Sequence, residues 1–225
     1  MTATEIIEGF RSTEIVRKLC HQCGNEFETH PMLIYCDKCV DDYHQKAESH
    51  QSNEKVKSFL ERIPFKIRNT VLEKLPSRDK AKEALSHDWN SGMGLALYGV
   101  TGKGKSRTAF LCLVEAIKQG RSVDWVDGSK LKAIALKPYD NEETLKHAKR
   151  VGVLLIDDLG NEPESPAVED VLWDIIKFRD EEGKLLLVTS QFNRKTLKLK
   201  FRSPERGESI ARRLDESCVG INFNG

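Results

Sequence analysis

The most specific chemistry in the chain lies in Gly99-Val100-Thr101-Gly102-Lys103-Gly104-Lys105-Ser106, which fits G-x-x-x-x-G-K-[ST]. Glycines let successive backbone N–H groups turn inward around phosphate oxygens. A lysine at Lys105 reaches the β- and γ-phosphates, and a hydroxyl at Ser106 serves Mg²⁺. Arg107 enters the helix that follows, whose N-terminal end adds positive potential. Gly99 to Arg107 is therefore the expected nucleotide-binding segment, with ATP and Mg²⁺ as its cofactors.

Two acids form the second group. Val151-Gly152-Val153-Leu154-Leu155-Ile156 is an apolar run closed by Asp157-Asp158. After a phosphate-binding loop this is the Walker B pattern: a buried strand delivers Asp157 to the Mg²⁺ shell, and Asp158 stands where a carboxylate would activate water. Aspartate is shorter than the glutamate often found there, which suits slow hydrolysis. The polar tip of Leu187-Val188-Thr189-Ser190-Gln191 suits a sensor of hydrolysis state.

The third group is four thiols. Cys20-His21-Gln22-Cys23 and Cys36-Asp37-Lys38-Cys39 are two C-x₂-C pairs separated by residues 24–35. Two such turns complete a tetrahedral Cys₄ zinc site. His21 replacing one cysteine, two disulfides and four unrelated thiols are the alternatives. Four protein ligands leave no open position, so the expected Zn²⁺ is structural. So small a module buries little surface, and metal would supply much of its folding energy.

These groups need elements to hold them. Residues 1–19 read as an amphipathic helix carrying Ile6, Ile7, Phe10, Ile15 and Val16, and residues 24–29 and 32–35 as the two arms of a zinc ribbon. Residues 41–58 read as a charged helix or linker, which places the domain boundary near residue 60: 1–60 for the zinc module and linker, 61–225 for the rest. Gly94–Tyr98, Arg121–Val126, Val151–Asp158, Lys184–Gln191 and Val219–Phe223 read as five strands. Helices are expected near 79–90, 108–119, 129–136, 166–182 and 205–216, with Ser129 capping the third. A Lys-rich helix follows Pro138, and residues 193–202 interleave cations with Leu and Phe. Each basic stretch is either a solvated face or a nucleic-acid contact, with Phe192 and Phe201 available to stack bases.

The 225 residues are 39% hydrophobic and 32% charged, with a net charge of +1. That balance gives no global electrostatic case for nucleic acid, so any such surface must be local. No run of 18 apolar residues suggests a membrane span. Met1-Thr2-Ala3-Thr4-Glu5 lacks the basic start of a signal peptide, which favours an intracellular protein and metal over disulfides.

The order of Gly99–Ser106, Leu154–Gly160, Leu187–Gln191 and Ser209-Ile210-Ala211-Arg212-Arg213-Leu214 resembles the AAA+ ATPases of the DnaC/DnaI helicase-loader and IstB transposition-helper group, over about residues 60–225. The resemblance implies an α/β fold: a five-stranded parallel sheet in the order 5-1-4-3-2, flanked by helices, without a C-terminal lid and preceded here by a small zinc-binding module. It implies Lys105, Asp157 and Asp158 as catalytic groups. Gln191 takes the sensor-1 position, where the family usually has Asn. Arg213 takes the arginine finger that completes a neighbour's site, with Arg212 as the alternative. The partners it implies are a replicative helicase hexamer gripped by the zinc module, single-stranded DNA, and further copies of the chain assembled on ATP, in the cytoplasm of a bacterial or phage-infected cell. An IstB-like stimulator of a transposase and a zinc-ribbon DNA-binding adaptor with a weakly active P-loop are the competing readings.

Overall fold

The computed structural model describes residues 15–161 and 165–224. The chain divides into two compact units, Met1–Glu54 and Lys55–Gly225. In the first, β1 (Val16–Leu19) and β2 (Glu26–Thr29) pair antiparallel, Val16 opposite Thr29 and Leu19 opposite Glu26. The helix expected over residues 1–19 is corrected here. Val16-Arg17-Lys18-Leu19 alternates half-buried and exposed, the period of a strand, and Arg17 pairs with Glu28 across the ladder at 2.7 Å. The remainder of that expected helix, residues 1–14, lies outside the described residues.

The second ribbon arm is corrected too. Residues 32–35 form no strand. They run as a loop held by Leu33 N–H donating to His30 O and His21 N–H donating to Ile34 O, both at 3.0 Å. A helix then runs from Asp37 to Arg62, with Asp37 in its first turn, where a negative charge is favoured.

The expected boundary near residue 60 falls inside this helix, whereas the compact units part between Glu54 and Lys55. The reason is packing: Phe59 and Ile63 are buried in the core of the second unit, with Val56 and Leu60 against them.

The second unit is built on β3 (Gly94–Tyr98), β4 (Val123–Val126), β5 (Val153–Leu159), β6 (Leu185–Ser190) and β7 (Cys218–Asn222). They form one parallel sheet in the order β4-β5-β6-β3-β7, which is 5-1-4-3-2 when these strands are counted from β3. Strand alternation sorts the side chains into two cores. Leu95, Leu97, Val153, Leu155, Leu185, Leu187 and Ile221 face the helix Lys105–Lys118. Leu154, Ile156, Leu186, Val188 and Cys218 face the helices Gly128–Leu136, Glu142–Arg150, Pro166–Glu181 and Pro204–Ser217.

Helix ends follow local chemistry. Gly183, at φ +59°, turns the chain after Pro166–Glu181. The cap of Gly128–Leu136 is Asp127 rather than the expected Ser129: the Asp127 carboxylate accepts the Lys130 N–H at 2.9 Å, so the cap lies two residues earlier.

Arg179 is 0% exposed. Its guanidinium donates to Ala148 O (2.8 Å), Lys149 O (3.1 Å), Val151 O (2.9 Å), Gly152 O (3.3 Å) and Leu185 O. One side chain thus satisfies the end of the Glu142–Arg150 helix and the entries to β5 and β6. Burial pulls its pKa down to about 9.

Candidate functional site

The loop after β3 needs glycine where it bends. Gly102 and Gly104 sit at φ +84° and +88°, and Gly99 at +143°. A Cβ on Gly99 would lie 2.7 Å from Asn224 Oδ1, and one on Gly104 3.2 Å from Leu75 Cδ2. The loop is therefore backed closely on two sides. Asn224 Oδ1 also accepts the Val100 N–H at 2.6 Å, and Phe223 N–H donates to Tyr98 O at 2.8 Å.

Lys105 is 7% exposed, and its ammonium donates to Gly99 O (2.7 Å) and Val100 O (3.0 Å). Burial pushes this ammonium below the ordinary lysine range, while the Asp158 and Asp157 carboxylates pull it back up.

The two acids stand at an irregularity of β5. Its pairing with β6 shifts register between Ile156 and Leu159, a bulge that frees Asp157 and Asp158 from the regular ladder. Asp158 has φ +65°, the only positive value for a non-glycine among the described residues. Its carboxylate accepts from Asn161 Nδ2 at 2.8 Å. Asp157 Oδ1 accepts from Thr189 Oγ1 at 2.6 Å, and the Asp158 N–H donates to the same Oγ1 at 2.8 Å. Burial raises the Asp157 pKa, the Thr189 and Ser106 hydroxyls oppose it, and the Asp158 and Asp127 charges add to the rise.

Thr101, Gly102, Gly104, Lys105, Ser106, Arg107, Asp157, Asp158 and Gln191 line one cavity of about 440 Å³. A second, of about 530 Å³, shares Asp157 and Asp158 and adds Asp127, Gly128, Ser129, Lys132 and Asn161. A third, about 390 Å³, lies on the side of the sheet that Ala96, Val188 and Cys218 face. Its lining is largely apolar (Ala96, Leu97, Val188, Leu197, Leu214), and its Arg194 is tied to Asp215 at 2.5 Å, whereas the first is lined by the glycine loop and both acids.

The residue set fits a Mg²⁺-nucleotide. The loop and the helix start bring backbone N–H groups, two cations (Lys105 and Arg107) and the Ser106 hydroxyl to the cavity, and the end of β5 brings the Asp157 and Asp158 carboxylates. Gly99, Val100 and Lys103 shape the loop without lining the cavity. Arg212 and Arg213 lie away from it on Pro204–Ser217. Arg213 is 13% exposed, with Nε 3.0 Å from Asp180 Oδ2, a hydrogen bond to Ser209 Oγ, and its guanidinium 4.8 Å from the Trp173 ring centre. Arg212 is 49% exposed and pairs with Glu216 at 2.6 Å.

Several cations of the basic stretches are paired within the chain. In residues 193–202, Arg194 meets Asp215, Lys198 meets Glu208 at 2.7 Å, and Lys200 lies 4.4 Å from the Phe192 ring centre. Phe192 is packed against Gly160, where an added Cβ would come within 2.8 Å of it. In the Lys-rich region, Lys146 pairs with Glu142 and Lys149 with Asp174, at 2.8 and 2.6 Å.

Within the first unit, the thiols of Cys20, Cys23, Cys36 and Cys39 all lie within 4.8 Å of one another. Cys23 and Cys36 Sγ are 3.8 Å apart. A tetrahedron with Zn–S near 2.3 Å requires about 3.8 Å between sulfurs, so the cluster fits zinc. The N–H groups of Cys23 and Cys36 hold the Cys20 thiol down at about 6, while burial and the neighbouring thiols push Cys39 up to about 12.

Four residues at the nucleotide cleft had no individual role assigned from the sequence: Thr189, which lay in the expected polar tip, and Asn161, Asp127 and Asn224. Thr189 carried a signal, as a hydroxyl in a strand whose preceding four residues are aliphatic. Nothing local marks Asn224, which acts from just beyond β7, the strand paired with β3.

Three solved structures show what the fold is similar to. The crystal structure of the DnaC helicase loader aligns at 21% identity and a TM-score of 0.58, covering 71% of this chain and 99% of that one. The crystal structure of DnaI aligns at 25% and 0.59, covering 73% and 93%. AMPPCP-bound DnaA from Aquifex aeolicus aligns at 20% and 0.51, covering 64% and 45%. No curated protein sequence matches. No helix among the described residues is long and apolar enough to cross a membrane. The IstB-like ATP binding protein family matches over residues 36–225, most of the chain and the whole of the nucleotide cleft, and the chain belongs to that family.

Proposed function

We propose that this chain is an ATP-driven loader of a replicative helicase, in which nucleotide state switches the protein between a form assembled on single-stranded DNA and a released form. The observation that carries the reading is the convergence of Lys105, Ser106, Asp157 and Asp158 on one cavity while Arg212 and Arg213 stand outside it. Such a cleft would bind nucleotide through Lys105 and Arg107, and Arg212 or Arg213 would serve the site of a neighbouring copy.

The backbone N–H groups of 101–106 would cradle the phosphates, with Lys105 turning from the Gly99 and Val100 carbonyls to the β- and γ-oxygens. Ser106 and Asp157 would hold Mg²⁺, which when bound neutralises charge developing on the transferred phosphoryl group. Asp158 would orient and deprotonate the attacking water, and Gln191, in the same lining, would meet the γ-phosphate. Arg213 of a second copy would reach the site by leaving Asp180 and Trp173. Arg212 is the more exposed candidate.

The four cysteines would hold a structural zinc and give the first unit a rigid surface for the helicase. The family match begins at Cys36, so Cys20 and Cys23 lie outside it. The family match itself favours the second reading, a transposase-stimulating ATPase.

Size-exclusion chromatography with light scattering tests the pair of readings. The full chain should co-elute with its host's replicative helicase, and ATP should enlarge its own assembly. Lys105→Ala should abolish the ATP-dependent step. No co-elution with or without ATP moves the assignment to the transposase helper, and unchanged assembly of Lys105→Ala overturns the switch.

A further inference from the structure

Thr189 is 1% exposed, on the strand beside the one that carries both acids. Where the β5–β6 ladder loses register, two polar groups need partners: the carboxylate of Asp157 and the backbone N–H of Asp158. A hydroxyl has one proton to give and two lone pairs to offer. Thr189 uses both, donating to Asp157 Oδ1 at 2.6 Å and accepting from Asp158 N–H at 2.8 Å.

We infer that Thr189 is a positioning residue of the nucleotide site, a single buried hydroxyl that fixes the Asp157 carboxylate and the Asp158 backbone relative to each other. The inference rests on the nucleotide-binding reading. Asp158 adopts φ +65°, a conformation that a non-glycine residue holds only when its surroundings enforce it. Three bonds hold it: Thr189 takes its N–H, Asn161 Nδ2 donates to its carboxylate at 2.8 Å, and the Asn161 N–H donates to its carbonyl at 3.1 Å. The tip of β6 therefore divides its work. Thr189 points inward to the acids, while Gln191, two residues on and exposed, lines the cavity. A shift of either acid would displace the metal-side and water-side groups together, because they share one oxygen atom.

The tests are Thr189→Val, which keeps shape and removes the hydroxyl, Thr189→Ser, which keeps the hydroxyl, and Thr189→Ala in case valine does not fold. Three readouts are needed: binding of a fluorescent ATP analogue in EDTA and in Mg²⁺, steady-state hydrolysis, and thermal melting by circular dichroism. In EDTA, Thr189→Val should bind the analogue within about twofold of wild type. It should lose about tenfold of the affinity gained on adding Mg²⁺ and about tenfold or more in kcat, the scale of one hydrogen bond to a charged group. Thr189→Ser should recover both to within about threefold.

A folded Thr189→Val or Thr189→Ala with a wild-type Mg²⁺ response and kcat overturns the inference. So does a Thr189→Ser no better than valine. If wild type itself binds no analogue under either condition, the nucleotide-binding reading fails first, and that failure is visible without any variant.

Discussion

The two units solve the same problem with opposite materials. In the sheet domain, strand alternation packs aliphatic side chains on both faces, and the burial of Leu95, Leu155, Leu187 and their neighbours drives folding. In the cysteine unit, Cys20 and Cys39 are the buried residues among those described from 15 to 54. Its large apolar side chains lie outside: Leu19 is 58% exposed, and Met32, Leu33, Ile34 and Tyr35 are each more than 40%. One unit has a hydrophobic core. The other has a cluster of sulfur atoms where a core would be, and in the zinc reading proposed above its stability comes from the metal.

The strongest way to break this contrast is to remove the metal. Treatment with a chelator, or Cys36→Ser, should abolish the amide dispersion of residues 15–40 in an NMR spectrum while the melting of the sheet domain stays put. Loss of both together would show that the sheet domain depends on the cysteine unit after all. Metal analysis of the untreated chain should give about one zinc per chain, as a closed Cys₄ site requires.

The sheet domain has its own polar centre, so Arg179→Met sharpens the comparison from the other side. The substitution leaves five carbonyls short of a donor and should destabilise the domain by about 3 kcal/mol or more, read in urea unfolding. An unchanged midpoint would mean that water replaces the guanidinium at no cost.

Smaller effects should separate the adjacent arginines. Arg213→Ala removes the contacts to Asp180 and Trp173 and should lower the stability of the isolated chain by about 1 kcal/mol; Arg212→Ala, losing one exposed pair, should not. If both reduce ATP hydrolysis only above the concentration at which the chain assembles, the role in trans is supported. The smallest effect belongs to the first unit: Arg17→Ala deletes a surface pair with Glu28 and should leave the metal content and melting unchanged.

Where the sequence could be read, its signals were local. The phosphate loop is contiguous, and its glycines are demanded by φ values within the loop itself. The strands β5 and β6 show as runs of Leu, Ile and Val, and the chain order of the five strands with the resemblance implied the sheet order seen. The Thr189–Asp157 contact depends on cross-strand register, which no run of residues states. Arg179 could have been found: it continues the buried stripe Val168, Leu172, Ile175 and Ile176 at helical spacing, so a charge stood in a core position. The cysteine unit misled for a physical reason. Met32-Leu33-Ile34-Tyr35 looks like a strand by composition, but thiol geometry rather than burial sets the path there, and the apolar run stays at the surface.

Arg179 also makes a corner of the domain cooperative. The end of the Glu142–Arg150 helix, the residues leading into β5 and the first residue of β6 all hang on one guanidinium. None of them can open without disturbing the donor shared by the others. Amide hydrogen exchange should therefore find no independent fraying at this helix end. Its last turn should exchange at the rate of the strands it touches, as part of one unfolding unit rather than as a loose terminus.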